Sequence, residues 1–132
     1  MASSSERRPE TMPATTETTS HPNLDPETLR ALRLFLVQVS ARYAVSCAYL
    51  FGSRARGDFR ADSDADVAVL LHGQPGAFLD TKLDLADIAY DVLLETGIRI
   101  QPLPVWEVEW AHPEVYSNPR LLGNISRDGI RL

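Results

Sequence analysis

A Gly-Ser pair, Gly52-Ser53, is followed by ten residues and then by Asp64-Ala65-Asp66. The pair ends an apolar run, Val45–Phe51, and the aspartates lead into another, Ala65–Leu71. Side chains alternate across a strand, so Asp64 and Asp66 should project from one face while Ala65, Val67 and Val69 anchor the other. Two neighbouring carboxylates repel unless a cation lies between them. Hard oxygen ligands with open positions for phosphate and water suit Mg²⁺. Gly52 has no side chain to hold a phosphate away from its backbone, and Ser53 adds a hydroxyl. If residues 53 to about 57 open a helical turn, their first N–H groups favour an anion, and Arg54 and Arg56 add charge. The chemistry implied is nucleotidyl transfer from a metal-bound triphosphate.

Each element alone is ordinary. A Gly-Ser pair is common, and Asp58, Asp62, Asp64 and Asp66 could form a solvated acidic loop. The combination at this spacing, each half flanked by a strand, gives the signal its weight.

The elements that must position these groups follow in order. Residues 1–23 are rich in Ser, Thr, Pro and Glu and should form a flexible tail. Residues 24–132 should form one domain. Asp25-Pro26 starts a helix, and Leu29, Leu32, Leu36, Val39 and Tyr43 recur at helical spacing. Val45–Phe51 and Ala65–Leu71 read as strands. A helix follows from about Phe78 to Glu95, closed by Gly97. A third strand runs from Ile98 to Val105, with Pro102 and Pro104 marking an edge. Ser117-Asn118-Pro119 opens a short last helix, and Ile130–Leu132 adds a small strand. The expected fold class is α+β, a small mixed sheet backed by helices.

In the long helix, Asp80, Asp84, Asp87, Asp91 and Glu95 share an arc of roughly 80°. Such a stripe is usually solvated; the sharper expectation is a docking face for a basic partner. Three histidines, at 21, 72 and 112, show no metal spacing. Trp106 and Trp110 are expected to pack rather than to stack on bases. The net charge of −5 argues against direct nucleic-acid binding. One cysteine, Cys47, excludes an internal disulfide and suits a cytoplasmic location. No membrane span or signal core is visible.

The Gly-Ser, ten-residue spacer and Asp-x-Asp pattern resembles the minimal nucleotidyltransferases of the DNA polymerase β superfamily. The similarity extends over roughly residues 29–105, and the ending SNPRLLGNISRDGIRL is similar to their C-termini. The resemblance implies a polymerase β-like fold, a two-layer arrangement of a small mixed sheet with helices on one side, and transfer of AMP from ATP to a hydroxyl. Gly52 and Ser53 would hold the β- and γ-phosphates, and Asp64 and Asp66 would be the catalytic metal ligands. Many proteins of this size in the family are antitoxins of type VII systems that adenylylate a tyrosine of a HEPN-domain ribonuclease toxin. The family's third carboxylate, in a segment like Gly-Val-Asp-Val, is missing: Gly97-Ile98-Arg99-Ile100-Gln101 stands there, with Glu107 or Asp62 as possible substitutes. The alternatives are therefore an antitoxin that acts by occlusion alone, or transfer to a small molecule. Small-molecule enzymes usually carry an added substrate domain, and this length leaves no room for one.

Overall fold

The computed structural model describes residues 24–60 and 62–132; the expected tail lies outside them. Helix α1 (Pro26–Ser40) is followed by strand β1 (Val45–Phe51), the single turn α2 (Ser53–Arg56) and strand β2 (Ala65–Leu71). Helix α3 (Phe78–Thr96) leads to strand β3 (Ile100–Trp106). The short helix α4 (Glu107–Ala111), a 3₁₀ turn (Pro113–Val115), helix α5 (Pro119–Asp128) and the two-residue strand β4 (Ile130–Arg131) complete the chain. No helix among the described residues is long and apolar enough to cross a membrane.

The sheet has the order β3-β2-β1-β4. β1 is antiparallel to both β2 and β4, and β3 is parallel to β2. This is the mixed α+β architecture expected. The helix αR-compatible turn residues and the β-prone apolar runs select the elements locally, but burial fixes the register. On β2, Ala65, Val67, Val69 and Leu71 face one core with Leu32, Phe35 and Val39 of α1 and Leu85 and Val92 of α3. Ala68 and Leu70 face a second, smaller core with Val105, Tyr116, Leu122 and Ile125. A one-residue slip of β2 would exchange the two sets. Helices thus cover both faces, not one side as expected: α1 and α3 pack on one, and the short C-terminal elements, which bury Tyr116, Leu122 and Ile125, pack on the other. Every residue of β2 is buried except Asp66, which is half-buried at its start.

α1 begins as its sequence dictates. The Asp25 carboxylate accepts from the Thr28 N–H at 3.0 Å and from the Thr28 hydroxyl at 2.9 Å, with Pro26 in the first turn. The two tryptophans pack, as expected: Trp106 is buried, and Trp110 stacks on Tyr49 with ring centroids 5.0 Å apart. β3 is an edge strand over its whole length. The Ala65 N–H donates to the Arg99 carbonyl, so alternate residues of β3 turn their backbone groups outward. Pro102 and Pro104 fall on that outward set and contribute no N–H there, and the outward N–H of Trp106 donates to Glu109 at 3.0 Å.

Candidate active site

Gly52 carries the chain off the end of β1 at φ +79°, ψ −158°, a conformation that side chains rarely adopt. The turn α2 then opens at Ser53, with the Ala55 and Arg56 N–H groups donating to the Gly52 carbonyl. Gly57, at φ +84°, ends it. In the β1–β2 ladder Phe51 is the register partner of Asp66. The glycine therefore lies beside the aspartate: a Cβ at Gly52 would run into Asp66 Oδ2. The two halves of the motif, ten residues apart in the chain, meet at the adjoining ends of two strands.

Asp64 precedes β2 and is half exposed. Its Oδ2 accepts from Gln101 Nε2 at 3.3 Å, and its Oδ1 lies 3.5 Å from Arg99 Nε. Burial, and then the negative charge of Asp64, raise the Asp66 carboxyl above its ordinary value, against the opposite pull of Arg56. The two carboxylates thus feel each other, as the strand alternation predicts. Between α2 and α5 an open pocket of about 550 Å³ is lined by Gly52, Arg56, Asn124 and Arg127, among others. It lies on the same face of the sheet as Asp66, because its floor residue Phe51 belongs to the smaller core.

Arg54 does not join this group, and its expected part in holding phosphate is corrected. Its side chain points inward and is only 3% exposed. Nη1 donates to Thr28 Oγ1 at 2.8 Å, Nε donates to the Ser63 carbonyl at 2.9 Å, and the guanidinium lies 4.5 Å from the Phe59 ring centre. It ties the start of α1 to both sides of the Gly-Ser loop. A short turn leaves one arginine to face the interior and the next to face solvent, and spacing alone does not say which. Arg56 is the exposed one, paired loosely with Asp58 at 3.4 Å.

The third-acid question also has a structural answer. Gln101 is the β3 register partner of Asp66 and occupies the place on the neighbouring strand where a third carboxylate would stand. Glu107 lies just past the far end of β3, about 20 Å from Gln101 at ~3.3 Å per residue. There it pairs with His72 Nδ1 at 2.8 Å, and hydrogen bonds from Ser46 and His72 hold its carboxyl below the usual value. Asp62 is exposed in the preceding loop. No group of three or more acidic, histidine or cysteine side chains that could hold a metal occurs among the described residues. Asp64 and Asp66 offer carboxylate oxygens and Gln101 an amide oxygen, hard donors of the kind that would suit a divalent cation such as Mg²⁺.

A mixed sheet of this order, with a glycine-serine turn set against paired aspartates at strand ends, defines a nucleotidyltransferase core. The profile of the family described as "Polymerase beta, Nucleotidyltransferase" matches residues 36–105, more than half of the chain, and the protein belongs to that family. The crystal structure of a candidate nucleotidyltransferase from Sulfolobus solfataricus is similar at 21% identity, with a TM-score of 0.49, over 80% of this chain and 81% of that one. No curated protein sequence matches the chain significantly.

Proposed function

We propose that the protein transfers AMP from ATP to a tyrosine hydroxyl of a HEPN-domain ribonuclease and so serves as its antitoxin. The observation that carries the transferase reading is the contact between Gly52 and Asp66, which brings a phosphate-accessible backbone to a paired carboxylate. Asp64 and Asp66 would hold Mg²⁺, which when bound neutralises the triphosphate and orients it. Gly52 and Ser53 let the phosphates approach, and Arg56 and Arg127 line the pocket that would receive the rest of the nucleotide. The phenolic oxygen bonds to the α-phosphorus, the bond to the bridging oxygen of the β-phosphate breaks, pyrophosphate leaves, and the phenolic proton passes to water.

A protein acceptor suits the surroundings of the acidic pair. Asp64 is 38% and Arg99 62% exposed; Arg99 precedes the edge strand and Asp64 the strand beside it. A groove of about 160 Å³ leads from Tyr90 and Leu93 on α3 to Arg99 and Gln101. On α3, Leu79, Leu83, Tyr90 and Leu94 form an exposed apolar stripe beside the acidic one. Asp84 is not available to a partner in the same way as its neighbours, because Arg42 and Tyr43 already engage it at 2.7 and 2.6 Å. A basic, amphipathic surface fits such a face.

The test mixes this protein with a HEPN-domain ribonuclease, ATP and Mg²⁺, followed by intact-mass measurement. A mass gain of one or more adenylyl groups, lost in the Asp64→Ala/Asp66→Ala double variant, supports transfer. Full neutralisation by the double variant without any mass gain favours the second reading, an antitoxin that acts by occlusion. The amide at position 101 in place of an acid is what motivates that alternative.

A further inference from the structure

We infer that this site is built for a single divalent cation, with Arg99 supplying in covalent form the positive charge that a second ion would bring. The inference rests on the nucleotidyl-transfer reading of the same site. Its basis is what β3 presents to the acidic pair. Gln101, directly across from Asp66, offers an amide oxygen but no charge, and its Nε2 already donates to Asp64 Oδ2. Arg99, two residues earlier and on the same side of the strand, lies beside Asp64 Oδ1.

Charge decides the count. Two carboxylates balance one divalent ion. The triphosphate brings anionic oxygens of its own, but a second ion would also need a third ligand from the protein, and no group of three such side chains occurs among the described residues. It would also meet the Arg99 guanidinium, which repels it at short range even where exposed. A guanidinium stays charged at any physiological pH and offers a fork of donors to phosphate oxygens, so it can stabilise charge on the triphosphate without dissociating. Arg99 and Gln101 are thus positioning residues for Asp64, and Arg99 is placed to meet the nucleotide on its open side.

The experiment counts Mn²⁺ per chain by electron paramagnetic resonance, with the full chain saturated with α,β-methylene-ATP. Wild type should hold one ion. Gln101→Asp/Arg99→Ala restores a third carboxylate, removes the competing guanidinium and should hold two, with Gln101→Glu/Arg99→Ala as the parallel variant should the shorter acid unfold the edge strand. Gln101→Ala should stay at one. Two ions on wild type would overturn the inference, as would one ion on both acid variants in folded protein; either result leaves nucleotidyl transfer standing. No bound ion on any form would instead remove the nucleotidyl-transfer reading, and this inference with it.

Discussion

The Cα of Gly52 lies against the carboxylate of Asp66, close enough that a methyl group there would overlap Oδ2. Ten intervening residues separate the motif's halves, yet the β1–β2 ladder brings them into contact through the pair Phe51 and Asp66. Gly52→Ala should therefore fail twice. Its φ of +79° costs an alanine about 1–3 kcal/mol, and the added methyl pushes Asp66 aside. Denaturant melts should show the loss, and calorimetric titration with an ATP analogue should show weakened binding. An alanine variant unchanged in both would contradict the geometry.

Asp66 is maintained at the expense of stability. Its carboxyl is raised in the fold, so the folded state binds more protons than the unfolded one between the unfolded value near 4 and the raised value. Its contribution to stability is present at low pH and lost as pH rises through that interval. Asp66→Asn should thus melt higher than wild type at pH 7 without divalent ions, while transfer falls at least ~100-fold. Calorimetry alongside an adenylylation assay measures both.

The two arginines of α2 should separate cleanly. Arg54→Ala removes a buried guanidinium from Thr28 and Ser63 and should destabilise by about 2–4 kcal/mol. Arg56→Ala should leave the melting point nearly unchanged and raise KM for ATP. If Arg54→Ala changed only KM, its assignment to the scaffold would be wrong.

Asp84 should carry part of the acid-side stability. The Tyr43 hydroxyl, and then Arg42, hold its carboxyl below the usual value. That contribution is present above the unfolded value near 4 and disappears as pH falls through the folded one. Tyr43→Phe should lower stability at pH 6 and flatten its decline toward pH 3, as followed by urea melts.

On α3 the proposed partner and the fold make separate demands. Leu83→Glu/Tyr90→Glu should weaken capture of the proposed ribonuclease partner more than tenfold without lowering the melting point. Asp84→Arg should lower the melting point, because it breaks the link to Tyr43 and faces Arg42 with a like charge. Equal ribonuclease affinity in the Leu83/Tyr90 variant would move the docking face elsewhere.

Much of this was legible in the residues. The alternating pattern of β2 placed Asp64 and Asp66 together, and Pro102 and Pro104 marked the edge strand. Local pattern could not orient Arg54, because its partners Thr28 and Ser63 come from other elements. Nor could it choose between Arg99 and Gln101 as the residue opposite Asp66, since that choice depends on the β2–β3 register. The exposed apolar stripe of α3, Leu79, Leu83 and Tyr90, has no signature in the residue pattern, since only packing shows which apolar side chains of a helix meet the sheet.

The prolines of β3 have a consequence for traffic at the site. With so few amide donors on its outer margin, the sheet is a poor template for a fifth strand from another molecule. That flank therefore resists being roofed over by chance pairing, and the start of the edge strand beside Asp64 stays uncovered.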